Sequence, residues 1–459
     1  MLVTLAVVVI ELLRPAPAEL MQVDSRDYLN FSATRTAGYP LFLRLVEHLP
    51  GGLDNLPWLQ LAFYGAASLL LCSAFRRLSG SRIAASLVLL LLLGNPQVTR
   101  LSFMIMTESL FLSCLMLLLT LYCRLVLAPR LQILAATSLV TGLAVLIRPA
   151  GYGLVVALPV VAWWCWRQGL SRWQTVLAAA VPYLAVLGAG MAAYHAEHGL
   201  WRTETFLGRT LLGKAAAVVD LTRSKEQSPV IAAIAARVAP DRAVIARAPT
   251  YFDRFRLLVP YYDIWRYHTA SGTLLADSAV PANAFAAADR QMARVSLAII
   301  AASPTAYLAD LTLNYCALWW LPDAMTHTQL RHFRAFLAAL GPLPDLGSYP
   351  AWHRAHSDVV IWALHGFMMM SLAASLWWGW RLLASAVCRV PLLPLARLGV
   401  LAGVLVHASF LLTAAVEAAL PRYAWAMWPA LSILFVSGLL ACCRRVPLAI
   451  KRRWALRAL

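Results

Sequence analysis

Long apolar runs separated by short polar breaks dominate this chain. A helix needs about 20 apolar residues to cross the hydrocarbon of a bilayer. By that measure the runs predict spans at about 57–75, 83–99, 102–123, 131–147, 150–166, 173–194, 358–380, 398–417 and 424–441. A further apolar start, MLVTLAVVVIELL, ends near Leu13 and reads as an anchor rather than a cleaved signal peptide. Between the sixth and seventh of the runs lies a long region, 196–357, that is polar in patches and too large for a connector. Inside it, residues 296–320 are apolar enough to span, yet Pro304 and Asp310 interrupt them. That segment reads as a helix or helix pair lying at the interface or packed on the bundle.

Composition agrees with this pattern. The 459 residues are 61% hydrophobic and 13% charged, and the mean hydropathy is +0.69. A soluble domain of this length would need far more charge to cover its surface. The expected fold is an all-α polytopic membrane protein with about 10–11 transmembrane helices, external amphipathic helices and a large external loop region. Its organisation is read as a 1–195 membrane module with a first external loop at 14–56, then the 196–357 region, then C-terminal helices and a basic tail over 358–459.

The net charge of +18 could point to nucleic acid, but its distribution points to a membrane. Arg76, Arg77 and Arg82, then Arg124 and Arg130, Arg167 and Arg172, and Arg381, Arg389 and Arg397 occupy short breaks without an Asp or Glu. The tail repeats the pattern with Arg444, Arg445, Lys451, Arg452, Arg453 and Arg457. Clusters of this kind mark the cytoplasmic side and set orientation. The expected orientation puts these breaks and the C-terminus on the cytoplasmic side and the intervening loops outside. No Walker sequence, nucleotide-binding glycine fingerprint or zinc-ligand spacing occurs. Eight cysteines sit mostly in apolar runs or on the basic side, so no disulfide framework is visible. Neither a cofactor nor a metal is expected.

Several polar residues fall together on the other face. VDSRDYLNFSATRTAGYPLF, residues 23–42, holds Asp24, Asp27, Tyr28 and Arg35, and GYPLFLRLVEHLP behind it reads as an amphipathic surface helix. Glu108 is expected a turn or two into an otherwise apolar span, where a carboxylate is costly unless it meets a cavity or a partner. Arg148 follows in VLIRPAGYG, and Arg422 with Tyr423 in ALPRYAWAMWP, both at breaks between spans. Each alone also suits an interfacial anchor. Their shared side is the argument, because that side was assigned from other residues. A carboxylate can take the proton of an acceptor hydroxyl, and arginines can hold a phosphate and stabilise it as a leaving group. A groove in the bundle would hold the attached lipid. A lipid or solute transporter or flippase, or a lipid-linked glycan polymerase or ligase, remains an alternative reading, since intramembrane charge also marks transport pathways.

The order of VDSRDYLNFSATRTAGYPLF, MTESLF, IRPAGYGLV and PRYAWAMWP resembles the bacterial members of the GT-C glycosyltransferase superfamily. Within it the sequence is similar to the family 39-like group of protein O-mannosyltransferases and lipid A aminoarabinose transferases. The resemblance covers the first 195 residues best. It implies a GT-C-like helical bundle and an inverting transferase that uses a polyprenyl-phosphate-linked sugar and a hydroxyl-bearing acceptor on the periplasmic side of a bacterial inner membrane, without a catalytic metal. The family's first-loop catalytic aspartate falls on Asp24, and a tyrosine at the same spacing falls on Tyr28. Ser25 and Asp27 depart from the acidic and basic residues that the aminoarabinose transferases carry there, and no adjacent Asp-Glu pair marks a protein acceptor. Asp24 and Glu108 are thus the candidate catalytic residues, Glu108 to orient the sugar or an arginine. Tyr28, Arg35, Arg148, Arg422 and Tyr423 are the candidate substrate-binding residues, with Arg422 on the family's phosphate-binding arginine.

Overall fold

The computed structural model describes residues 21, 24–95, 98–99, 101–222, 228–249, 258, 261–262, 264–266, 282–320 and 358–457. The expected helix ending near Leu13 lies outside the described residues. Within them the secondary structure is helical, with short 3-10 turns and no strand. Helices Gly52–Ser79, Glu108–Leu127, Pro149–Arg167, Arg172–His198 and Pro394–Val416 are long and apolar enough to cross a membrane. The pair Phe285–Ala302 and Pro304–Trp320 meets the same test only when taken together, bent by 103° at its break. Shorter apolar helices, Arg82–Leu93, Leu131–Ile147 and Trp428–Cys443, occupy other expected spans.

The chain divides into two compact units. The first comprises Met1–Glu197, Met369–Ser409 and Trp425–Leu459. It opens with two short helices, α1 (Ser25–Leu29) and α2 (Gly38–Glu47). Helix α3 (Leu56–Ser79) starts with a proline in its first turn and stops at Gly80, whose φ of 69° is the left-handed conformation that glycine adopts without penalty. Ser81 then caps α4 (Arg82–Leu93), accepting from the Ala84 amide at 3.2 Å. This tight turn sets α3 and α4 side by side, and the Tyr64 hydroxyl donates to the Leu92 carbonyl at 2.6 Å. The expected span at 83–99 is shorter as a helix, ending at Leu93 ahead of Gly94 and Asn95-Pro96. A residue before proline is driven out of the helical region.

Helix α5 (Glu108–Leu127) packs between α3 and α6 (Leu131–Ile147). Next come α7 (Pro149–Arg167) and α8 (Arg172–His198). Pro182 sits inside α8 and breaks its ladder. Ser138 of α6 fills the gap: its hydroxyl donates to the Ala179 carbonyl at 2.6 Å and accepts from the Tyr183 amide at 3.0 Å. A neighbouring serine therefore satisfies the backbone where water is scarce.

The second unit comprises His198–Met368 and Phe410–Ala424. Its helices α9 (Leu207–Val218), α10 (Pro229–Ala246), α11 (Ala282–Ala302) and α12 (Pro304–Trp320) enclose a core of Leu212, Ala216, Ile234, Trp265, Met292 and Ile299. At Gly208 a Cβ would lie 1.9 Å from the Asp289 carbonyl oxygen, so α9 and α11 touch backbone to backbone there. The segment 296–320 resolves into a helix pair broken at Ser303-Pro304, as its proline implied. The chain continues through α13 (Asp358–Cys388), α14 (Pro394–Val416), α15 (Pro421–Trp425) and α16 (Trp428–Arg457).

Candidate active site

The residues 24–38 fold as a compact strap at one end of the first unit's bundle. Ser25 is fully buried and donates to the Ile105 carbonyl at 2.9 Å, tying α1 to the segment before α5. Phe31 takes a φ of 42°, uncommon for a bulky residue. Packing against Tyr194 of α8, with ring centroids 6.2 Å apart, holds it there, and Tyr194 donates to the Ala33 carbonyl at 2.6 Å. At Gly38 a Cβ would stand 2.6 Å from the Leu146 carbonyl oxygen, so only glycine lets α2 lie on the end of α6.

This strap turns Arg35 back over α1. Its Nη2 donates to Asp24 Oδ1 at 2.8 Å and to Asp27 Oδ2 at 2.9 Å, and its Nε reaches Asp27 Oδ2 at 3.3 Å. Nη1 donates to the Tyr28 hydroxyl at 3.3 Å. Burial works against the Arg35 charge, but Tyr28, Asp24 and Asp27 outweigh it and hold the guanidinium above its ordinary value. Burial also raises the Tyr28 phenol, so at neutral pH it stays a neutral donor and acceptor. Tyr28 packs edge-on against Tyr39 of α2, centroids 5.2 Å apart.

A second ion pair lies beside the first. Glu108 Oε1 and Arg148 Nη1 are 2.7 Å apart, both side chains nearly fully buried. Thr107 adds a hydroxyl donor to Glu108 Oε2 at 3.3 Å. Glu108 is the first residue of α5, not a turn or two inside a span as expected. Residues 101–107 instead form a 3-10 turn and bends, held by Gln60 of α3, whose amide donates to the Ser102 and Met104 carbonyls at 3.0 and 2.9 Å. The position at a helix N-terminus itself favours a carboxylate. Arg148 stands at the other end of α6, in extended conformation where that helix gives way to Pro149. The charges of Arg35, Asp24, Glu108 and Arg148 all act on the Tyr28 phenol, so both ion pairs lie within electrostatic reach of one tyrosine.

The structure therefore brings Asp24, Tyr28, Arg35, Glu108 and Arg148 together. Arg422 and Tyr423 belong to the second unit and have their own surroundings. The Tyr423 hydroxyl donates to Glu417 Oε2 at 3.1 Å, and Arg266 meets Glu417 Oε1 at 2.5 Å. The Arg422 guanidinium lies 5.3 Å from the centroid of the Tyr423 ring. Also in this unit, Lys214 Nζ pairs with Asp310 Oδ2 at 2.9 Å, and the Tyr262 hydroxyl donates to Asp310 Oδ1. Asn314 joins them, donating to the Tyr262 hydroxyl at 3.1 Å.

Sequence reasoning passed over Gln60, Tyr39, Lys214, Arg266 and Glu417. Gln60 was findable as a lone amide in an apolar span. Lys214 had a fainter signal, as one of few lysines in an arginine-rich chain. Among the described residues no group of three or more His, Cys, Asp or Glu converges as a metal site.

No family model and no curated protein sequence matches the chain. Among solved structures, the crystal structure of ArnT from Cupriavidus metallidurans bound to undecaprenyl phosphate aligns over 94% of this chain and 76% of that one, at 15% identity and a TM-score of 0.35.

Proposed function

We propose that this chain is an inverting glycosyltransferase, moving a sugar from a polyprenyl-phosphate donor to a hydroxyl acceptor at the outer face of a bacterial inner membrane. The observation that carries the reading is the two ion pairs within electrostatic reach of Tyr28. A partly exposed carboxylate, Asp24, is held by Arg35, and a buried acid–base pair, Glu108 and Arg148, lies beside it. Such a cluster at the end of an apolar bundle suits a reaction between a lipid-borne phosphate and a polar acceptor.

The step is a single displacement. Asp24 takes the proton of the acceptor hydroxyl as the oxygen attacks the anomeric carbon. The bond from that carbon to the phosphate oxygen breaks on the opposite face, and polyprenyl phosphate leaves with the electron pair. One displacement inverts the anomeric centre, and the phosphate needs no strong general acid because it departs as a stabilised anion. Arg35 fixes the carboxylate in place. The Tyr28 hydroxyl, kept neutral by burial, is a hydrogen-bonding group for the sugar. Glu108 orients Arg148, whose guanidinium suits the developing phosphate charge. For Arg422, donor-phosphate binding rests on the resemblance in sequence, and for Tyr423 substrate binding rests on its place beside that arginine.

Mass spectrometry of lipid-linked sugars and envelope glycans tests this in cells making either the native protein or Asp24→Asn at equal abundance. With Asp24→Asn, a polyprenyl-phosphate sugar should accumulate while one acceptor molecule loses that sugar. Identical profiles from the two cell populations would overturn the assignment.

A further inference from the structure

Helices α3 and α5 both run away from the candidate active site, one starting beside Gln60 and the other at Glu108. Their far ends and the start of α6 border a cavity of about 440 Å³. Arg77 from the last turn of α3, Arg124 from the last turn of α5 and Arg130 at the head of α6 line it. The remaining wall is mostly apolar and includes Leu70, Leu127 and Ile133. We infer that this cavity binds an anionic phospholipid, its phosphate among the three guanidiniums and an acyl chain along the leucines.

Orientation in the membrane explains why arginines are numerous at this end, but not why three from separate helix ends converge on one cavity. All three are exposed, and among the described residues none of their guanidiniums enters an ion pair or hydrogen bond. Three like charges around one space repel each other, and an anion between them removes that cost. Arg77 and Arg124 suit the negative C-terminal ends of their helices. Arg130 does not: it is the N-cap of α6, and a cation at a helix N-terminus opposes the macrodipole. A phosphate there would answer both the arginine and the unsatisfied amides of the first turn.

The apolar wall selects a lipid over a free anion. Leu70 and Leu127 are 44% and 48% exposed, flanking the arginines on a surface that faces away from the bundle core. Inorganic phosphate has no use for them, whereas an acyl chain covers them. Basic pockets between transmembrane helices are the usual receptors for anionic head groups.

Native mass spectrometry of the full-length protein, purified in neutral detergent and given phosphatidylglycerol or phosphatidylcholine, decides the matter. Phosphatidylglycerol should be retained in preference. The triple change Arg77→Gln, Arg124→Gln, Arg130→Gln should weaken its binding roughly a hundredfold, about fivefold for each arginine. A control triple, Arg381→Gln, Arg389→Gln, Arg397→Gln, removes the same charge elsewhere and should retain the lipid. Three results would overturn the site: equal retention by the first triple, equal loss in the control, or displacement of the lipid by millimolar inorganic phosphate. Should the first triple not purify as a monodisperse protein, Arg130→Gln alone carries the test, with about fivefold weaker binding expected and unchanged binding refuting it.

Discussion

Among the described residues, two cations that hold polar clusters, Arg35 in the first unit and Lys214 in the second, are set in opposite ways. Arg35 holds partners close in sequence, Asp24, Asp27 and Tyr28, and two of these stay partly open, Asp24 at 25% and Asp27 at 46% exposed. Lys214 holds Asp310, 96 residues away, and the two are 1% and 7% exposed. Both Asp310 carboxylate oxygens are taken, one by Lys214 and one by Tyr262, which Asn314 holds in turn. This closed pair fixes α9 against α12. An open pair costs less to build and leaves a carboxylate where a substrate can reach it. On the proposed function, the contrast separates a clamp from a chemical site.

The sharpest way to break that contrast is Lys214→Met. It leaves the Asp310 carboxylate buried beside Tyr262 without its cation, which typically costs about 3–5 kcal/mol. Burial already pulls the Lys214 ammonium below its ordinary value against the pull of Asp310 and Glu417, so this pair balances large opposing contributions. Thermal melting of the detergent-purified protein should show a markedly lower midpoint. The double change Lys214→Met, Asp310→Leu should recover most of it, since replacing both partners with apolar groups removes the orphaned charge. A single variant that melts like the native protein would end the reading of this network as a clamp.

Arg35→Gln should do the reverse. The pairs it loses are partly exposed, and such pairs contribute at most about 1 kcal/mol to stability. Hydrogen bonds to a charged group that position a reacting carboxylate are worth about 1.5–3 kcal/mol, so turnover should fall roughly 10- to 150-fold. Transfer kinetics beside a melting curve check this. A large loss of melting temperature with turnover intact would make Arg35 a second clamp.

The same contrast explains what could be read from sequence. The helices were legible because spans are written as contiguous apolar runs, and Pro304 announced its break because proline acts on its own neighbours. Asp24, Tyr28 and Arg35 could be picked out together because they lie within one strap. The start of α5 was not legible: it depends on Gln60 holding the carbonyls of residues 102 and 104, a contact of high sequence separation. The Lys214 network failed for the same reason, its members coming from α9, α12 and residue 262. Asp27 was left without a role: it departs from the residue the resemblance carries there, and the geometry shows it bonded to two nitrogens of Arg35.

That bond makes Asp27 the finest test of which carboxylate does the chemistry. Asp27→Asn keeps an oxygen for Arg35 while removing a charge that is nearly half exposed, so stability should change by less than about 1 kcal/mol. If Asp27 only steadies Arg35, turnover should fall about threefold, within the energy of one exposed pair, with the asparagine preserving most of the geometry. Asp24→Asn in the same assay should lose turnover by at least about 100-fold, the usual scale for a general base. Equal losses would mean the two carboxylates work as a unit around Arg35. A larger loss at Asp27 would transfer the base to it, and Asp24 would become the residue that holds the arginine.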